Sequence, residues 1–474
     1  MVKYHTVGKR RGKQAEKRVS GEAAGRLIRI TAKTAYGECS ERLTAFGGLL
    51  ALVKFLNLIG FKEAFAAHYV HPSREPKLGG YRMVLGILML LFIGFQRLGH
   101  FTYLKGDAML CGIMKVKALP VVSTFWRYLR SLSIVQSASL LRLGAPLRAK
   151  VWALCGYAPE CVAVNIDTTV STVYGKIEGA RKGHNTKHRG KKALRPVLCF
   201  LAETREYLCG SQRRGETICN TEVARQIRQF RRLLPACVQH IRVRGDGELI
   251  GWESIKACLD EGVTFTFGNK RCAPLFPDNG WYRHGQYEYN ECVYQPRGWE
   301  QPCRFVVMRI RKDQMGDRQL NLLDSENYVY RVFVSNDLCR PHKVIEDYDL
   351  RADAENLIGE AQREGLLAIP SRSFQAHHAF FQIVMLSYNL WRWMKLLAGH
   401  AEKERRAGRD VPEAQHISLP DHTIRIARLK MLFIAAKIRF HDNRDEVRYS
   451  IHEHRAAGLI DFLRYLDRRR KEAA

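Results

Sequence analysis

The chain has 474 residues, of which 46% are hydrophobic and 26% charged, enough for more than one domain and a sizeable core. Seventy-seven Lys and Arg against 47 Asp and Glu leave a formal charge of +30, an excess that predicts an anionic polymer, nucleic acid first, as partner. Thirteen scattered cysteines with no C-x-x-C pair suggest neither a zinc ribbon nor a paired disulfide framework and fit a reducing cytoplasm, and the 13-residue apolar run Met83–Phe95 falls short of the ~20 residues that span a membrane.

Residues 1–34 hold ten Lys and Arg and two Glu. They read as a solvated tail, as a basic arm lying along phosphates, or as both. Residues 44–150 read as helices: TAFGGLLALVKFLNLIGF and YRMVLGILMLLFIGFQRL have helix-length apolar content without strand alternation. In VVSTFWRYLRSLS, Ser123 is a candidate N-cap for a short helix carrying Trp126, Arg127 and Arg130. That helix fits two roles equally, the second helix of a helix-turn-helix or a core-packing helix.

From about residue 160 the texture changes. AVNIDTTVSTVYG, RPVLCFLAET, HIRVRGD and VTFTFGN are strand-like, and TEVARQIRQFRRLLP and WESIKACLDEG are helical. The alternation predicts an α/β fold built on a mixed sheet. A β-rich block at about 268–335 separates helical stretches and reads as an insertion. One long helix, VIEDYDLRADAENLIGEAQREGL, is expected after it. In FFQIVMLSYNLWRWMKLL, the apolar Phe381, Val384, Met385, Tyr388 and Trp391 mark a packed helical face. Residues 399–416 read as a polar loop, and TIRIARLKMLFIAAKIRF fits strand or helix. The expected organisation is a helical DNA-binding region at 1–150, a catalytic core at 151–398 and a C-terminal region at 399–474.

Three acids stand out. Asp167 lies within an apolar, β-branched strand, where a charge needs compensation. Asp246 ends HIRVRGD between Gly245 and Gly247, which permit close approach of a ligand or a special turn. Tyr348, Arg351 and Glu355 are spaced to share one face of a helix, within about 60° of arc at ~100° per residue. Carboxylates converging on a sheet edge make a hard-oxygen site for Mg²⁺ or Mn²⁺. Two such ions about 4 Å apart support phosphoryl transfer. Arg351 suits phosphate oxygens, and Tyr348 a phosphate or a base. The loop KIEGARKGHNTKHRGKKALRP follows the Asp167 strand and adds Lys182, Lys187, Arg189, Lys191 and Lys192 as candidate phosphate contacts.

NIDTT, RGDGEL, the β-rich block and YDLRADAENLIGE, taken in this order, resemble a bacterial insertion-sequence transposase of the DDE type. The match extends from about 160 to 395, and Tyr348, Arg351 and Glu355 carry the spacing of one branch's Y-R-E-K signature. The resemblance implies a ribonuclease-H-like mixed sheet with helices on both faces. It implies Asp167, Asp246 and Glu355 as a catalytic triad holding two Mg²⁺ ions, for which Mn²⁺ substitutes. Glu360 is the weaker candidate for the third acid. The signature's Lys falls at Gln362, so Arg363 takes over that phosphate contact or the contact is absent. The resemblance implies cleavage of the element's terminal inverted repeats and joining of the 3′-hydroxyls to target DNA. It also implies a homodimer on paired ends, in a bacterial cytoplasm and associated with the nucleoid. Trp299, with Trp281 second, is the candidate to hold a flipped base; packing of the β-rich block is the other reading of either ring. A metal-dependent nuclease or resolvase without strand transfer and an inactive DNA-binding protein are the competing readings.

Overall fold

In the computed structural model, residues 28–472 are described except 184, 186–187, 217–219, 315–326 and 408–418. The first 27 residues of the basic tail and the candidate Lys187 therefore lie outside the described residues. The chain divides at Arg42 into two units. Residues 28–41 of the first carry no helix or strand and are exposed.

The second unit opens with seven helices: α1 (Leu49–Leu58), α2 (Phe61–His68), α3 (Gly80–Ile93), α4 (Ala108–Met114), α5 (Val122–Ser131), α6 (Ile134–Arg142) and α7 (Gly144–Leu154). Local chemistry sets several starts. Asp107 caps α4 by accepting from Leu110 N–H at 3.0 Å, and Ser133 and Gln136 close a capping box on α6. α5 begins two residues earlier than the expected Ser123 cap: Val121 is the N-cap and Ser123 lies inside the helix. Burial of Phe125, Tyr128 and Leu129 decides that phase and leaves Trp126 largely exposed.

The sheet has nine strands: β1 (Cys161–Thr168), β2 (Val197–Leu201), β3 (Tyr207–Ser211), β4 (His240–Gly245), β5 (Thr264–Gly268), β6 (Tyr282–His284), β7 (Tyr287–Tyr294), β8 (Cys303–Arg311) and β9 (Tyr328–Ser335). Their order is β6-β7-β8-β9-β5-β4-β1-β2-β3. β4 runs parallel to β1 and to β5, and the other neighbours are antiparallel. The β-rich block therefore continues the main sheet, because β9 pairs with β5. Helices α8 (Asn220–Ile227) and α9 (Trp252–Asp260) pack on one face with Cys199 and Leu201; Leu198 and Phe200 turn to the other face. Cover on both faces explains why β2 reads as the unbroken apolar run VLCFL.

The expected long helix is broken. α10 (Pro341–Asp349) gives way to a 3₁₀ turn at Leu350–Ala352, then α11 (Asp353–Ala361) and a π turn ending at Leu366. α12 (Phe374–Ala407) runs 34 residues, about 51 Å, and continues into the stretch that reads as a polar loop. Trp391 stacks on Phe92 of α3 at 4.1 Å. α12 also covers the edge strand β3: Asn389 accepts from Tyr207 N–H and donates to its carbonyl, and Gln382 donates to the Gly210 carbonyl. The ambiguous tail holds both element types: α13 (Ile424–Met431), a hairpin of β10 (Ala436–His441) and β11 (Arg444–Tyr449), then α14 (Ala456–Glu472).

Beneath β3, Glu206 and Arg148 are fully buried and paired at 2.8 Å. The Glu206 carboxylate also accepts from the indole N–H groups of Trp152 at 2.7 Å and Trp393 at 2.6 Å. Arg148 donates to the carbonyls of Leu233 and Tyr207. One ion pair thus ties α7, the sheet and α12 together.

His378 of α12 is buried, and its Nδ1 has no hydrogen-bond partner. Burial, then the nearby Arg225 charge, pulls its pKa down to about 4. The unfolded chain takes up that proton near pH 6.5, so stability is present at neutral pH and is lost as pH falls from about 6.5 towards 4. Between pH 7 and 5 the loss is about 2 kcal/mol. Urea midpoints measured at both pH values should show it, and His378→Asn should remove that part of the slope.

Candidate active site at the ends of two parallel strands

Ile166 of β1 pairs in parallel register with Gly245 of β4. One residue further, the two strands carry Asp167 and Asp246, so the carboxylates lie side by side where both strands end. β1 is buried from Val162 to Ile166, and Asp167 is the first side chain to emerge. Asp167 therefore marks the edge of the core rather than its middle. Gly245 has a steric reason: a Cβ there would fall 2.4 Å from the Phe267 ring. The next backbone N–H turns back to its own side chain at each acid, Thr168 to Asp167 Oδ1 and Gly247 to Asp246 Oδ1, both at 2.7 Å.

The first positive charge on the pair comes from Arg351, whose Nη1 donates to Asp167 Oδ2 at 3.0 Å; both side chains are largely buried. Burial pushes the Asp167 carboxyl up, Arg351 and the Thr168 N–H pull it down, and the Asp246 charge pushes it further up; the net direction is up. Lys270 Nζ lies 3.6 Å from Asp246 Oδ1. Tyr348 is buried against Phe333, ring centroids 4.7 Å apart, with Arg351 over its face. Its hydroxyl approaches Gly268 so closely that a Cβ there would lie 3.1 Å away.

Asp167, Asp246, Arg351 and Tyr348 thus form one cluster. Glu355 is exposed in the first turn of α11, a helix that packs on β1 and β2. Among the described residues, no group of three His, Cys, Asp or Glu stands in metal-binding arrangement. The 3₁₀ turn at 350–352 alters the helical phase between Arg351 and Glu355, so the single-face geometry of an unbroken helix does not hold. Glu360 is committed elsewhere, to Arg392 and to the Ile424 N–H. Gln362 donates to Thr169 Oγ1 at 2.8 Å, two residues past Asp167. Arg363 lines a cavity with Arg392 and Arg428. Trp299 is half-buried, its ring near Trp252 and Phe305, and Trp281 lies under the Arg309 guanidinium; both pack the β-rich block. Lys182, Arg189, Lys191 and Lys192 are exposed, with Lys182 directly opposite Lys192 in a small sheet.

Sequence reasoning missed Arg244. Its guanidinium grips Asp347 in two bonds, 2.6 and 2.9 Å, joining β4 to α10 one residue before Tyr348. The signal was present: in HIRVRGD, Arg242 and Arg244 alternate with apolar residues and so share one face.

A family model described as Transposase DDE domain group 1 matches residues 37–469. No curated protein matches the chain. Among solved structures, a cryo-EM structure of a piggyBac transposase synaptic complex with hairpin DNA is similar, with a TM-score of 0.40 and 10% identity over 80% of each chain.

Proposed function

The chain belongs to the family of transposases with a DDE domain of group 1, and on that premise we propose that it binds the terminal inverted repeats of its own bacterial insertion sequence, cleaves the ends and joins their 3′-hydroxyls to target DNA. The observation that carries the reading is the pairing of Asp167 with Asp246 at the ends of adjacent parallel strands. The order β3-β2-β1-β4-β5, antiparallel across β1-β2-β3 and parallel across β1-β4-β5, supports a ribonuclease-H-like core.

The donor chemistry fits divalent metal. Two adjacent carboxylates repel one another, and hard oxygen donors suit Mg²⁺, with Mn²⁺ as substitute. Asp167 and Asp246 would hold the ions, with Glu355 from α11 joining them once DNA and metal are present. When bound, such ions would supply activation of a water or 3′-hydroxyl and stabilisation of the leaving oxygen. Arg351 neutralises Asp167 beforehand and then turns its planar fork to a phosphate oxygen, with Tyr348 fixing its position. Lys182 and Lys192 face one another with like charge, an arrangement that costs stability unless an anion lies between them; DNA phosphate supplies that anion. Two ends held together imply a homodimer. The expected site of action is the bacterial nucleoid.

The test uses purified protein and a duplex bearing the element's own end with flanking sequence. With Mg²⁺ or Mn²⁺ it should give cleavage at the end, then joined products, and EDTA should abolish both. Cleavage without joining moves the reading to a nuclease. Binding without cleavage in either metal removes the catalytic reading.

A further inference from the structure

A cavity of about 670 Å³ lies among α11, the π turn after it, α12 and the segment 420–433. Six cations line it, Arg205, Arg363, Arg392, Lys395, Arg425 and Arg428, against three carboxylates, Glu360, Glu364 and Asp421. The carboxylates do not balance the cations. Glu360 is paired with Arg392 and Glu364 with Arg428, and Arg205 reaches out to Asp353. That leaves Arg363, Lys395 and Arg425 with Asp421.

Lys395 is the unusual member. It is 5% exposed, its Nζ donates to the His422 carbonyl, and among the described residues no carboxylate lies within ion-pair distance of it. Burial, then the charges of Arg392 and Arg205, pull its pKa down to about 7. A buried ammonium among guanidinium groups is costly when left uncompensated. Its neighbours supply forked donors already fixed by their own ion pairs, an arrangement suited to tetrahedral oxyanions.

We infer that this cavity is a seat for a phosphate group, distinct from the carboxylate pair at the strand ends. None of its lining residues is Asp167, Asp246 or Arg351, so the inference does not rest on the catalytic reading. The same oxygens can come from a small polyphosphate or from the DNA backbone, and the volume admits more than one phosphate.

The test is calorimetric titration of the full chain with inorganic pyrophosphate at low salt, without divalent metal, and with a DNA duplex in parallel. The variants are the double Arg363→Gln/Arg425→Gln, whose side chains are exposed so that folding is spared, and Lys395→Met, with Asp167→Asn as the control outside the cavity. One saturable pyrophosphate site is expected, weakened at least tenfold by the double variant and unchanged by Asp167→Asn. If DNA affinity stays constant across the cavity variants, the occupant is a free polyphosphate. If pyrophosphate competes with DNA and the double variant weakens both, it is a backbone phosphate. Equal pyrophosphate affinity in wild type and double variant overturns the inference. So does an absence of pyrophosphate binding together with unaltered DNA binding.

Discussion

Asp167→Asn should reduce cleavage of the element's end by roughly 10²–10⁴-fold, the equivalent of about 3–5 kcal/mol of lost transition-state stabilisation, while DNA binding persists. The substitution is nearly isosteric, so β1 should keep its register with β4. It removes the charge that Arg351 meets at 3.0 Å and half of the carboxylate pair. Glu355→Gln is the sharper companion experiment, because Glu355 is exposed and, among the described residues, completes no three-acid group with the pair. If Glu355 joins the site when DNA and metal are present, its variant should lose cleavage to a similar extent with its melting temperature unaltered. An Asp167→Asn protein that cleaves within tenfold of wild type would place the reaction elsewhere. Gel-based cleavage and mobility-shift assays on the same preparations separate the two effects.

The largest stability effect is expected at Glu206. Glu206→Ala leaves Arg148 and two indole N–H groups without their acceptor in a site with no solvent access. Breaking a buried pair in this way costs about 3–5 kcal/mol, a large share of the ~5–15 kcal/mol that holds an ordinary domain together. Urea unfolding followed by tryptophan fluorescence measures it directly, since Trp152 and Trp393 both touch the lost carboxylate. The double variant Arg148→Met/Glu206→Leu should recover much of the loss, because the penalty comes from the charge left alone rather than from the pair's own strength. A Glu206→Ala loss below about 1 kcal/mol would show that water or another donor reaches the site.

Asp167 and Asp246 were legible in the sequence because nothing about packing explains them. A carboxylate within a β-branched run, and another between two glycines, ask for a partner. The alternation of strand and helix indicated a mixed sheet; that β1 and β4 are its parallel neighbours comes from the fold. The break between α10 and α11 was not legible. DYDLRADAEN contains no Pro or Gly to signal it. The turn coincides with ion pairs to two different strands, Asp349 to Arg331 of β9 at 2.5 Å and Arg351 to Asp167 of β1 at 3.0 Å, with Leu350 left 64% exposed between them. The cationic cavity was equally hidden, since segments near residues 94, 205, 360, 392 and 425 build it and each alone reads as an ordinary basic stretch. Of the two readings of Trp299, packing was already legible from its place in the β-rich block; the fold adds its ring neighbours, Trp252 and Phe305.

The Arg351 to Asp167 contact joins residues 184 positions apart. During synthesis the two aspartates leave the ribosome first, and the arginine that quiets them follows Asp167 by about 10–40 s at ~5–20 residues per second. Until then Asp167 lacks its ion-pair partner, Lys270 being near Asp246 alone, and α12, which covers β3, has not yet been made. A chain released early, or cut before residue 351, keeps both aspartates and lacks the arginine that pairs with Asp167. On the proposed reading, synthesis past residue 355 thus becomes the checkpoint that decides when a complete cutting centre can form.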